Sequence, residues 1–198
     1  MPRLNGRSFI VRYADDAVLG FDNEVDARRV LGVLHKRFSK FDLTLHPKKT
    51  RLLHLPRPSK PRGRDLDRSF NFLGFTHFWA RSYKGNWIIR RKTSKDRLSR
   101  SLKAVALWCR WHRHDPVMWQ HHQLSLKLRG HYAYYGITGN ARSLSCYLRG
   151  VERIWFKWLT RRSNRAKFGW ARFAPFLLRS PLPFPRIVRS VYNRPVVR

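Results

Sequence analysis

The run Phe9-Ile10-Val11-Arg12-Tyr13-Ala14-Asp15-Asp16-Ala17-Val18-Leu19-Gly20 decides how the rest of this 198-residue chain is read. Two β-favouring stretches flank an adjacent pair of carboxylates. Aspartate suits turn positions, so the Asp-Asp pair predicts a tight turn joining two strands. The apolar flanks predict a buried hairpin with both acids at its tip. A desolvated carboxylate there would cost several kcal/mol unless it were paired, hydrogen-bonded or bound to a metal. Such oxygen ligands suit Mg²⁺, which takes one or two carboxylates together with substrate phosphates. The alternative is a surface hairpin carrying two solvated acids.

Charge separates the chain into two parts. The net charge is +32, from 43 basic and 11 acidic residues. Residues 1–42 hold eight Lys/Arg and six Asp/Glu, whereas residues 43–198 hold 35 and five. So unbalanced a segment repels itself unless a polyanion neutralises it, which points to nucleic acid. An anionic membrane surface is the competing partner. The interleaving of basic residues with aromatics along helical stretches disfavours it. An apolar content of 42% with 14% aromatics predicts a globular core. No apolar run approaches the ~18 residues of a membrane span, and no signal-peptide core follows Met1. Cys109 and Cys146 lie far apart and suggest neither a disulfide framework nor a zinc site, so a reducing cytoplasm is expected.

Outward from the hairpin, Asp22 or Asn23 is placed to cap a helix reaching about Lys40, with a stripe at Ala27, Val30, Leu31, Leu34 and Phe38. That stripe predicts packing against a sheet. Leu43 and Leu45 alternate with polar residues as a short strand, Pro47 ends it, and Leu52–Leu55 begins another. Residues 56–64, rich in Pro, Arg and Gly, predict a loop. Phe70–Phe75 reads as one strand with a close backbone approach at Gly74. A hairpin turning at Lys84-Gly85-Asn86 follows. Helices are expected from Ser94 to the break at Asp115-Pro116, through Leu124, Leu128, Tyr132 and Tyr135 to about Gly136, and from Ala141 to about Arg161. The Pro-rich stretch 173–193 predicts an extended, packed tail. The nine histidines show no metal-ligand spacing. His112, His114, His121 and His122 are expected at the surface or facing RNA.

Tyr13-Ala14-Asp15-Asp16 resembles the YxDD motif of reverse transcriptases, with Ala at the variable position as in group II intron-encoded enzymes. The string Leu43-x-Leu45-His46-Pro47-x-Lys49-Thr50 resembles the segment that follows it in that family. Phe70-x-Phe72-Leu73-Gly74-Phe75 resembles the family's last palm motif. Arg129-Gly130 with Tyr134-Tyr135 resembles its thumb and maturase signature, and Pro185-Arg186-Ile187-Val188 a familiar ending. The order of these motifs matches as well.

The resemblance implies an α+β chain. Residues 1–92 would be the C-terminal half of a reverse-transcriptase palm, an antiparallel sheet with a packed helix. Residues 93–198 would be an all-helical thumb/maturase RNA-binding domain. It implies RNA-directed DNA polymerisation, with Asp15 and Asp16 binding Mg²⁺ and Lys49 donating a proton to the leaving pyrophosphate. As a bare residue, Lys49 fits a solvated loop equally well. Nucleic-acid contacts are implied at Tyr13, Phe72, Gly74, Arg97, Arg100, Lys103, Arg129 and Tyr134. The Arg129 guanidinium suits a bidentate phosphate clamp, with a structural salt bridge as the alternative.

The implied partners are group II intron RNA and an RNA template with a DNA primer. No membrane is implied, and a bacterial cytoplasm is the implied setting. The resemblance spans only the C-terminal half of such proteins, without the fingers or the upstream metal-binding aspartate. Polymerisation is therefore expected to need a separate N-terminal reverse transcriptase fragment, and the sheet is expected to expose an edge. The alternative is a non-catalytic maturase remnant that binds intron RNA and assists its folding and splicing.

Overall fold

A computed structural model describes residues 4–47, 49–58, 69–162 and 169–190. The chain is α+β. It divides into two units, one formed by residues 1–73 and 78–89, the other by 74–77 and 90–198. Residues 59–68, which include the 59–64 part of the expected loop, Lys48, and the end of the tail from residue 191 lie outside the described residues.

In the first unit, β1 (Ser8–Tyr13) pairs antiparallel with β2 (Asp16–Phe21), from Ser8 opposite Phe21 to Tyr13 opposite Asp16. The turn therefore consists of Ala14 and Asp15, one residue earlier than an Asp-Asp turn, and Asp16 opens the second strand. Two-residue hairpin loops favour positive φ. Here Ala14 supplies it, at φ +48°, and its carbonyl accepts from Arg12 Nε at 3.0 Å. The expected burial is not observed. Phe9, Ile10, Val11 and Tyr13 are all exposed, although neighbours in a strand point to opposite faces. Both faces of β1 thus meet solvent. Phe9 lies across Gly20, directly opposite it, and a Cβ there would collide with the ring.

Helix α1 (Glu24–Ser39) begins where expected and packs on β2. Asn23 caps it, accepting from Asp26 N–H at 2.8 Å. Buried Asp26 answers: its Oδ2 accepts from Asn23 Nδ2 at 3.0 Å and from the backbone N–H groups of Asn5 and Gly6, each at 2.9 Å. The Gly6 N–H is the main reason this carboxyl sits below its ordinary range. Burial opposes the shift, and Asn23, Asn5 and Arg29 assist it. One carboxylate thereby pins the segment before β1 to the start of α1. The predicted stripe is the less exposed side of α1, but only Ala27 on it is fully buried.

Residues 43–58 form no strand among the described residues. Leu43, Leu52 and Leu53 are exposed, so the alternation there marks no buried sheet face. Nor is Phe70–Phe75 one strand. β3 (Ser69–Phe72) and β4 (Phe75–Arg81) flank a two-residue turn at Leu73-Gly74, both at positive φ (+49° and +78°). That pattern is the one hairpin twist prefers, with Gly carrying the larger angle. β5 (Trp87–Thr93) returns across the expected turn, where Gly85 has φ +78° and Ser82 N–H donates to Asn86 O at 2.8 Å. The strands form two sheets, β1-β2 and β3-β4-β5.

The second unit contains α2 (Lys95–Trp111), α3 (Val117–Tyr135), α4 (Ala141–Leu159) and α5 (Trp170–Arg179). The first three match their expected spans, although the Ser94 hydroxyl makes no capping bond. Their stripes meet in one core of Val105, Cys109, Leu124, Leu128, Tyr132, Leu144, Leu148, Val151, Trp155 and Leu159. α2 and α4 approach closely at Gly150, where a Cβ would sit 2.7 Å from Leu102 Cδ2.

α5 corrects the expectation of an extended tail from residue 173. Pro175 suggests a break, and it does remove one hydrogen bond inside the helix. Complete burial of Phe173 and its ring contacts with Trp155 and Phe156 offset that loss. The extended tail begins after α5: Tyr132 Oη donates to Pro183 O at 3.0 Å, Leu182 is buried, and Val188 and Arg189 N–H groups donate to Gly136 O.

Buried polar groups tie this core together. Gln120 accepts from Trp155 Nε1 at 2.9 Å and donates to Asp115 O at 2.8 Å. Asn140, 1% exposed, accepts from Thr93 N–H at 2.9 Å and donates to Thr93 Oγ1 at 2.8 Å and to Tyr135 O at 2.9 Å.

Candidate nucleic-acid and catalytic site

Within the first unit, the hairpin places Asp15 in the turn and Asp16 at the start of β2, both exposed, with exposed Tyr13 opposite Asp16. Adjacent carboxylates at a solvent-facing turn fit one divalent cation that completes its shell with water and phosphate oxygens. A two-metal clamp needs more ligands than this pair offers. Among the described residues, no group of three or more His, Cys, Asp or Glu could hold a metal ion. Lys49 is exposed in a turn closed by its own N–H and that of Thr50, which donate to His46 O at 3.1 and 3.0 Å. Phe72 is half-buried at the end of β3.

The second unit brings three distant stretches together. The Phe75 ring stacks on Tyr134 (centroids 6.1 Å apart, 9° between planes) and meets Tyr135 edge-on at 5.3 Å. A Cβ on Gly74 would lie 3.1 Å from Tyr135 Oη and 3.7 Å from Arg97 Cγ, so glycine here permits both the turn and the close approach. Burial raises the Tyr135 hydroxyl pKa and Tyr134 adds to the rise, while Arg97 and Arg100 oppose it. Gly74, Arg97, Arg100 and Tyr134, each expected at a nucleic-acid interface, thus surround one half-buried tyrosine. Lys103 is exposed further along α2 and Arg129 on α3.

Behind this cluster, the His131 ring stacks on Tyr147 (3.7 Å, 17°) and lies 4.5 Å from Tyr135. Burial pushes its pKa down to about 4. Nothing in the sequence marks it as neutral packing beneath the tyrosines. Two other histidines, both half-buried, also make contacts within the fold. His112 Nδ1 lies 2.6 Å from Asp115 Oδ2, and the half-buried His121 ring packs near Trp155 and Phe176.

The family described as reverse transcriptase (RNA-dependent DNA polymerase) matches residues 2–77. The matched stretch contains β1, the Ala14-Asp15 turn, β2, α1, Lys49 and the Leu73-Gly74 turn. Neither a curated protein nor a solved structure matches the chain. No helix among the described residues is long and apolar enough to cross a membrane.

Proposed function

We propose that the chain is a reverse transcriptase/maturase of the group II intron type, contributing the second half of the palm and a helical thumb. Asp15 and Asp16 would serve as Mg²⁺ ligands. The observation that carries this reading is the Tyr13–Asp16 hairpin, which offers two adjacent carboxylates at an open turn inside the matched stretch. When bound, the ion would neutralise charge on the phosphoryl group being transferred. Lys49 donates a proton to pyrophosphate. Tyr13, Phe72 and Gly74 face the primer–template, and Arg97, Arg100, Lys103, Arg129 and Tyr134 hold RNA. The ligand set is completed by carboxylates beyond this pair, on protein that covers β1. The two exposed apolar faces of β1 support this, since a strand of that composition is stable when covered.

A second reading, an RNA-binding maturase remnant without catalysis, draws support from the second unit, which has its own core and most of the positive charge. Primer extension on an RNA template with Mg²⁺, run beside Asp15→Ala and an RNA-binding assay, separates the two. Under the first reading the chain extends a primer once the complementing half is added, and Asp15→Ala abolishes extension while RNA binding persists. Binding without extension under either condition establishes the second reading. Extension by the chain alone refutes the need for a complementing half.

A further inference from the structure

We propose that the solvent face of α2 is a track for single-stranded nucleic acid that ends at Trp111, whose indole stacks on an unpaired base. The proposal rests on the nucleic-acid reading above and adds a site and a strand preference to it. At 3.6 residues per turn, Arg97, Arg100, Lys103, Leu107, Arg110 and Trp111 fall within about 140° of one another around the helix. All six are exposed. The opposite side, carrying Leu98, Leu102, Val105 and Cys109, packs into or against the core. From Arg97 to Trp111 the track runs about 21 Å, at ~1.5 Å per residue.

Leu107 and Trp111 stand out on this face. Trp111 is 73% exposed and Leu107 49%. Trp108, three residues earlier, is instead engaged by His112 and Trp119, with Lys127 Nζ 5.2 Å above its ring. An indole left in water at the end of a row of four cations has the two features that hold an unpaired strand: a π-face for a base and charges for the backbone. The only acid on α2 is Asp96, in its first turn. That charge pattern favours a polyanion over an apolar protein surface. A duplex keeps its bases stacked on each other, so the indole discriminates in favour of unpaired strands.

The test uses the full chain, with a fluorescently labelled oligouridylate and a blunt RNA duplex titrated by anisotropy. Trp111→Ala is expected to weaken oligouridylate binding about tenfold and duplex binding less than about twofold. Trp111→Phe restores most of the loss. The slope of affinity against salt stays unchanged, because no charge is removed. Equal loss on both ligands, or none, overturns the proposal while leaving general nucleic-acid binding intact. A change in oligomeric state on Trp111→Ala also overturns it, by showing that the indole contacts protein. Binding of neither ligand by the parent chain overturns both readings together.

Discussion

Replacing Asn140 by Asp separates two roles that the residue combines. Asn140 immediately precedes α4, where Asn and Asp are both favoured as helix caps. If capping were its contribution, Asp would be neutral or better, since its charge also suits a helix N-terminus. In the structure, however, the side chain makes no capping bond and instead joins Thr93 to Tyr135 O. Asp retains the oxygen that accepts from Thr93 N–H but loses the amide that donates to Thr93 Oγ1 and Tyr135 O. A carboxylate would then face the Tyr135 carbonyl in a site only 1% exposed. Leaving a buried group unsatisfied costs about 1–3 kcal/mol, and more when a charge is involved. Asn140→Asp should therefore destabilise by about 3 kcal/mol, as much as or more than Asn140→Ala. That is a large part of the ~5–15 kcal/mol by which domains are typically stable. Urea unfolding of both variants at neutral pH, followed by circular dichroism, provides the measurement. Asn140→Asp as stable as the parent would refute the hub and restore the cap.

The buried His131 ring has its pKa lowered to about 4 from 6.5. The unfolded chain therefore takes up this proton first as pH falls. Its neutral packing is fully favourable above pH 6.5 and is lost progressively between about 6.5 and 4, by about 1–2 kcal/mol once solvent screening at this half-buried ring is allowed for. His131→Phe should remove that part of the slope in a pH series of urea midpoints; an unchanged slope would contradict the burial. Gly136→Ala puts a Cβ onto Tyr132 O and 2.6 Å from Arg186 O, where backbone cannot yield as a side chain end would. A loss of at least about 1–3 kcal/mol is expected, together with proteolytic release of the tail. Wild-type resistance to protease in that variant would show that the tail adjusts.

Periodicity carried most of the second unit. Leu124, Leu128 and Tyr132 on α3, and Leu144, Leu148, Val151, Trp155 and Leu159 on α4, were legible because each is apolar at helical spacing and each is buried. α5 was not legible, because Pro175 signals a break and the rings that compensate come from α4. The 43–55 segment misled in the opposite sense: its leucines alternate, yet nothing in the described residues covers them. Asp15, Asp16 and Lys49 were legible as a motif but not as a geometry, since the one-residue shift of the turn depends on Ala14 adopting a positive φ. The grouping of Gly74, Arg97 and Tyr135 joins positions far apart in sequence. Asn140 and Gln120 look in sequence like an ordinary cap and an ordinary surface amide.

The strap formed by residues 181–189 also dictates when the second unit can close. Tyr132 Oη is met by a carbonyl 51 residues later. At a synthesis rate of about 5–20 residues per second, α3 waits roughly 3–10 s after its own emergence for that partner. Tyr132 lacks that carbonyl partner for the interval, on a nascent, strongly cationic chain beside ribosomal RNA. Under the proposed RNA-binding reading, RNA and the chain's own tail would compete for α3 before synthesis ends.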